Sequence, residues 1–218
     1  MFPQDPSSPP RIHLASQSPR RKALLAQWGV ACEPLLPDPS EDAEALEAVR
    51  PGEAPLAYVR RVCRLKLAAA LVRQRQRNCP AWPVLCADTT VALGRDILGK
   101  PGNAEAATAM LQRLSGQTHT VLTAVAVGWW PAGAVADVAQ ARMGLRVSRS
   151  RVQFAPLSDA AIARYVATGE PLDKAGAYGI QGVAALWVPR ISGSYTGIMG
   201  LPAFETAELL REAGVCVG

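Results

Sequence analysis

Apolar positions along the chain fall into two kinds of pattern, short extended runs and stretches with helical spacing, and the two alternate. Ile12-His13-Leu14-Ala15 reads as a short strand. Ser16-Gln17-Ser18-Pro19-Arg20-Arg21 follows and leads into a helix reaching Trp28, with Ser18 a natural N-cap, Pro19 a natural first helical residue and Gly29 a stop. Residues 34–55 are rich in proline and acid, which predicts a loop with one helical turn. From Leu56 to about Gln74 an amphipathic helix is expected, because Leu56, Val59, Cys63, Leu67 and Ala70 recur at spacings of three and four.

Pro80 to Pro83 breaks the chain, and Val84-Leu85-Cys86-Ala87 reads as a buried strand ending at Asp88, with Thr90 to Leu93 continuing in extended form. Ile97 to Pro101 is bounded by turns. Asn103 caps a helix running to Leu114, with Ala107, Met110, Leu111 and Leu114 on one face. Thr118 to Gly128 is the clearest long strand. Trp129 to Gly133 reads as a hairpin turn, and extended segments from Val135 to Phe154 return across the same sheet. Ser158 caps a helix that reaches Thr168 and stops at Gly169. Gly176 to Val188 reads as strand-like, and a last helix runs from Pro202 to Ala213. Helices and strands are interspersed without strict βαβ repetition. The expected arrangement is therefore a mixed sheet flanked by helices, α/β or α+β, in one continuous domain of two lobes. Residues 11–218 read as a single domain, and residues 1–10, rich in proline, as a flexible extension.

Composition narrows the function classes. Half of the 218 residues are apolar, and the net charge is only +5. A small polyanion suits that charge as well as nucleic acid does. An extended nucleic-acid footprint would interleave basic residues with aromatics, whereas the densest basic run, Arg73 to Arg77, contains none and reads as a solvated helix end. The five cysteines show neither C-x-x-C pairing nor zinc spacing, so a reducing, cytoplasmic location is expected. No apolar run approaches membrane-spanning length, and the start lacks the features of a signal peptide.

Candidate chemistry follows from four places. The Ser16–Arg21 segment puts two hydroxyls and two arginines at a helix N-terminus, which suits phosphate; a capped helix with two surface arginines explains it equally well. Asp88 sits where α/β folds place ligands and could hold a magnesium ion or deprotonate a water, or simply bond nearby backbone. Lys66 lies on the flank of the buried stripe, and Lys100 on a tight turn; either could meet phosphate or solvent. Three glycines between Gly176 and Gly182 permit close approach to some other group, and Gln181 could read a base edge. The sequence lacks G-x-x-x-x-G-K-[ST], a dinucleotide fingerprint and any recognisable nucleophile motif around His13 or His119.

Taken in order, these segments resemble the Maf family of nucleotide pyrophosphatases. The matching stretches are Leu14–Arg21, Ala87–Val91, Ile97–Pro101, Gly116–Thr123, Asp173–Gly182, Gly193–Tyr195 and Gly200–Pro202, and the resemblance spans residues 11 to 204. It implies an α/β fold, a mixed twisted sheet flanked by helices with two lobes around a central cleft, together with a divalent cation (Mg2+, Mn2+ or Co2+) and hydrolysis between the α and β phosphates. Asp88 would be the general base and a metal ligand, Glu41 the acid of the early loop acting on the metal, and Ser16, Ser18, Arg20, Arg21, Lys66 and Lys100 the phosphate contacts. Arg21, Thr89 and Gln181 match the subgroup acting on dTTP and UTP. Thr90 stands where valine is more usual, and Leu65 where glutamate often precedes the lysine. The resemblance implies a small-molecule triphosphate partner, with no membrane and no stable nucleic acid, and leaves a homodimer open. Two rival readings stand beside it: the same fold acting on 7-methyl-GTP or another modified nucleotide, and a non-catalytic nucleotide- or nucleic-acid-binding regulator of cell division.

Overall fold

The computed structural model describes residues 10–38, 41–42, 45–131 and 140–217. In chain order the elements are β1 (Arg11–Leu14), α1 (Pro19–Gln27), β2 (Ala31–Pro34), α2 (Pro55–Gln76), β3 (Val84–Leu93), β4 (Asp96–Leu98) and α3 (Ala104–Leu114). They continue with β5 (Thr118–Trp129), β6 (Arg142–Gln153), α4 (Asp159–Val166), β7 (Arg190–Ser192), α5 (Tyr195–Met199) and α6 (Ala203–Glu212). Among the described residues seven strands form one mixed sheet in the order β2-β1-β3-β5-β6-β7, with β4 also paired to β3. β2, β1 and β3 run parallel; the pairs β3–β5, β5–β6, β6–β7 and β3–β4 are antiparallel.

Alternation along β3 and β5 sends side chains to opposite faces. Val84, Cys86, Leu122, Ala124 and Ala126 pack beneath α2, against Val59, Val62, Cys63, Leu67 and Leu71. The opposite face carries two separate clusters. One joins Leu85, Ala87, Val125 and Val127 to Leu24 and Leu25 of α1 and Leu209 and Leu210 of α6. The other joins Val91, Val121 and Val152 to Leu111 of α3, Ile162 of α4 and the aromatic pair Phe154 and Tyr178. With the cluster beneath α2 they make up the core.

Local chemistry accounts for most boundaries. Pro19 opens α1, and Gly29 ends it with φ +71°. Asn103 and Ser158 accept hydrogen bonds from Ala106 N and Ala161 N, as their sequence positions predict. Several expectations are corrected. Gly176 to Val188 is not a strand but two 3-10 turns, at Ala175–Ala177 and Val183–Trp187; positive φ at both Gly176 and Ala177 breaks any extended run. Leu56 does not belong to the buried stripe of α2 and is exposed, so the stripe begins at Tyr58 and Val59. The stretch from Trp129 is still strand at its first residue, and β6 begins only at Arg142. Trp130 and Pro131 follow without regular structure, whereas Ala132 and Gly133 of that expected turn, residues 135–139 of the expected return segment and residues 1–9 of the expected extension lie outside the described residues. Pro10 already belongs to the fold, since its carbonyl accepts from Ala31 N at 2.9 Å.

Candidate active site

β3 carries β5 along one whole edge, but its other edge is only partly covered. β1 pairs with Val84 and Leu85, and β4 pairs with Val91 to Leu93. Between these two neighbours the edge has no strand beside it among the described residues. Leu85 O accepts from Ala15 N toward β1, so by alternation the main-chain groups of Ala87 and Thr89 also point to that side, into the gap. A cleft of about 570 Å³ opens there. Asp88 therefore lies in the middle of a ten-residue strand rather than at a strand end. What ends near it is β1, so the carboxylate still lies beyond the carboxyl end of a parallel strand, the usual ligand position in such sheets.

The loop leaving β1 enters this cleft and becomes α1. Ser18 occupies the N-cap position, yet its side chain makes no capping bond, unlike Asn103, Ser158 and Ser194 at the starts of α3, α4 and α5. Instead the Ser18 N–H donates to Ser16 Oγ at 3.2 Å. The Ser18 hydroxyl and the N–H groups of Arg20 and Arg21, which no intrahelical bond can satisfy, have no protein partner among the described residues. Arg20 also lines the cleft. Arg21 is committed to the protein: Nε donates to Gly200 O at 2.8 Å, Nη1 to Ser16 Oγ at 2.9 Å and Nη2 to Thr89 Oγ1 at 3.4 Å. Burial draws its pKa down, with Asp88 partly offsetting that. Arg21 thus ties the loop, β3 and the α5–α6 junction together. Thr89 continues the tie through Thr123 Oγ1 at 3.0 Å, which donates to Gly197 O.

Opposite this loop, Lys66 reaches from α2 to two carboxylates. Its Nζ lies 2.5 Å from Asp88 Oδ1 and 2.7 Å from Glu47 Oε1. The acids supplied by Glu47 and Asp88 replace any partner that Leu65 cannot provide. Glu47 was not anticipated from the sequence. It sits on the 3-10 turn Ala45–Glu47, and α2 itself holds that turn in place. Tyr58 Oη donates to Glu47 O at 2.9 Å, and Arg61 Nη2 donates to Ala48 O at 2.8 Å. Burial raises the Glu47 carboxyl, but Lys66, Lys100 and Arg21 outweigh it and hold it below the ordinary value. Burial and the charge of Asp88 push the Tyr58 phenol up to about 12, so it stays a donor. Asp88 Oδ2 accepts no hydrogen bond among the described residues.

Glu41 is elsewhere. Arg73 takes both of its oxygens, at 2.8 Å from Nε and 2.5 Å from Nη2, and this hydrogen bonding first of all pulls its pKa down to about 2. Asp38 and Arg77 join the same cluster at 2.6 Å. Glu41 is a structural partner of α2, and the acid that meets Asp88 is Glu47. The same contacts correct the reading of the basic run, because Arg73 is buried and Arg75 lies 5.1 Å over the Trp130 ring.

Comparison with known families matches residues 11–213 to Maf, described as Maf-like protein. The chain belongs to the Maf family. A dTTP/UTP pyrophosphatase of Cupriavidus metallidurans is 60% identical over 94% of this chain and 97% of its own length. The protein of the same name from Albidiferax ferrireducens is 59% identical over 93% and 96%, and that from Burkholderia pseudomallei 58% over 94% and 95%.

In this Maf chain the glycine-rich segment serves packing. A Cβ on Gly176 would fall 2.9 Å from Val91, and one on Gly179 2.8 Å from the Glu170 carboxylate. The close approach that the glycines permit is to the protein's own side chains. Gln181 is exposed and is not among the residues lining the cleft, whereas Gly179 and Ile180 are. Lys100 lines the cleft and is exposed there. Lys174 also borders it, engaged with Asp173 and the Glu170 carbonyl, both at 2.7 Å. Of the residues picked out in the sequence, the Maf cleft gathers Ser16, Ser18, Arg20, Arg21, Lys66, Asp88, Thr89 and Lys100. No helix among the described residues is long and apolar enough to cross a membrane.

Proposed function

We propose that this chain hydrolyses the α–β phosphoanhydride of dTTP and UTP, releasing the nucleoside monophosphate and pyrophosphate. One observation carries the reading: unused donors at the start of α1 and the cations Arg20 and Lys100 share a single cleft with the Asp88–Glu47 carboxylate pair. That is the arrangement needed to hold a polyphosphate tail beside groups that can orient water. The names of the relatives, at nearly 60% identity over almost the whole chain, support dTTP and UTP as the substrates.

The donor chemistry of the site fits the divalent cation that the family implies. Asp88 and Glu47 offer hard oxygen donors that converge on one ammonium. Clusters of three or more acidic, histidine or cysteine side chains that could form an all-protein cage do not occur among the described residues. Magnesium-like ions commonly bind through one or two carboxylates and complete their shell with substrate phosphates and water. Asp88 and Glu47 would hold the ion. When bound, it supplies neutralisation of phosphate charge.

The chain's own groups do the rest. The α1 N-terminus, Ser18, Arg20 and Lys100 bind and orient the tail. Arg21 acts indirectly, fixing the Ser16 loop against β3 and Gly200. Asp88 Oδ2, free of protein donors, accepts the proton of a water that attacks phosphorus in line with the departing pyrophosphate. The five cysteines are free thiols, which suits a reducing cytoplasm. The reading assigns no task to a second copy or to nucleic acid. It is tested by pyrophosphate release from a panel of normal and modified triphosphates, 7-methyl-GTP included, with Mg2+ or Mn2+ present. Preferred turnover of dTTP and UTP is expected; no release from either, or preference for 7-methyl-GTP, would overturn it.

A further inference from the structure

The Lys66 ammonium spends two of its three donors on oxygens of the two carboxylates that would hold a divalent cation, Asp88 Oδ1 and Glu47 Oε1. Lys66 Nζ has no third partner among the described residues, and its side chain is half-buried, so little else competes for it. An ammonium and a dication compete for one carboxylate pair, because their mutual repulsion at a few ångströms exceeds thermal energy even with effective screening. Lys100 and Arg21 act on Glu47 with the same sign and add to the positive field there. With Lys66 in this position a lone cation meets a carboxylate pair that has already lost half of its negative charge to the ammonium. A triphosphate alters that balance: it brings negative oxygens to the cleft, onto which the flexible four-carbon stem of lysine can redirect its charge.

We propose, resting on the pyrophosphatase reading, that Lys66 is a built-in counter-ion that excludes free divalent cations from the Asp88–Glu47 pair and yields it when a cation arrives with a triphosphate. The cation and the triphosphate then bind synergistically, each raising the affinity of the other by the same factor. Lys66 has two positions in this scheme, on the carboxylates before binding and on phosphate oxygens after it.

The test is titration of the purified protein with Mn2+ alone, followed by electron paramagnetic resonance, and repeated with a dTTP analogue carrying a methylene between the α and β phosphorus atoms. In the wild-type protein Mn2+ alone binds weakly, and the analogue tightens it by about tenfold or more, within the usual range of coupling between sites. Lys66→Met binds Mn2+ alone about tenfold more tightly than wild type and gains little from the analogue. Lys66→Arg keeps the charge and stays with the wild type. A Lys66→Met protein with native circular dichroism that binds Mn2+ no more tightly than wild type overturns the proposal, as does equal tightening in Lys66→Arg. Should Lys66→Met fail to fold, equal Mn2+ affinity of the wild type with and without the analogue decides against it. Failure of the pyrophosphatase reading is separately visible as absent dTTP turnover, while Mn2+ titration of the free protein keeps its meaning.

Discussion

Arg61 and Glu53 form a bidentate pair, Nε to Oε1 and Nη2 to Oε2, both at 2.7 Å, and the same guanidinium reaches the carbonyls of Leu46 and Ala48 on either side of Glu47. A side chain one turn along α2 from Tyr58 thus grips the turn that presents Glu47. Arg61→Ala should lower kcat for dTTP by about 10- to 100-fold through a misplaced Glu47, the usual range for loss of a group orienting a ligand. Arg61→Lys, which cannot form the fork, should recover only part of it. Steady-state kinetics with a melting curve separate this from unfolding: a kcat unchanged in a folded Arg61→Ala protein would show that the grip has no bearing on the site.

The two early acids have different tasks and should respond differently. Asp88→Asn should cost about two to four orders of magnitude in turnover while the fold persists, as expected for loss of a general base. Glu47→Gln should also reduce turnover and weaken Mn2+ binding. Glu41→Gln should leave turnover near wild type and lower Tm, because it breaks the fork with Arg73 and Glu41 itself does not line the cleft. Loss of activity in Glu41→Gln at temperatures where it is folded would return that residue to the site.

His119 is a source of acid sensitivity. It is 1% exposed, Nε2 lies 2.7 Å from Tyr178 Oη, Nδ1 has no partner among the described residues, and burial pushes its pKa down from 6.5 to about 4. The unfolded chain takes up the proton near pH 6.5 and the folded one only near pH 4, so its stabilising contribution is complete above 6.5 and is lost as pH falls toward 4. The loss between pH 6.5 and pH 5 should be about 2 kcal/mol. Denaturant melts of wild type and His119→Gln across that interval measure it, and equal slopes would remove His119 as the cause.

Gly176 and Gln181 give opposite expectations within one segment. Gly176→Ala would force a side chain onto φ +70° and against Val91 at 2.9 Å, and should lower stability by about 1–3 kcal/mol, read as a fall in Tm. Gln181→Ala should leave KM for dTTP and UTP nearly unchanged, because that side chain is exposed outside the cleft. A large rise in KM for Gln181→Ala would restore it as a reader of the base.

Elements with local signals were legible in advance. Asn103 and Ser158 declared α3 and α4, Pro19 and Gly29 framed α1, and the threonine- and valine-rich run from Thr118 to Gly128 gave β5. Two kinds of feature escaped. The polar run Asp88-Thr89-Thr90 read as the end of a strand, but pairing with β5 carries β3 straight through it, and pairing partners are not written in one strand's pattern. The choice between Glu41 and Glu47 depends on which carbonyls Tyr58 and Arg61 hold and which acid Arg73 captures. Those are contacts between a helix and an aperiodic loop, and spacing does not encode them. The short apolar-acidic group Ala45-Leu46-Glu47 within a proline-rich stretch was the one local hint. The glycines after Asp173 were correctly read as sites of close approach, but the neighbour proved to be the protein itself.

The vacancy between β1 and β4 is bounded on both sides by main chain, so its breadth along β3 is dictated by the uncovered stretch from Cys86 to Thr90 and the rise per strand residue, and not by what any side chain happens to be. Residues around it can be exchanged, altering charge and preference, while the slot keeps its dimensions. Adaptation to a different nucleotide could then proceed by replacing its furnishings, with no rebuilding of the frame.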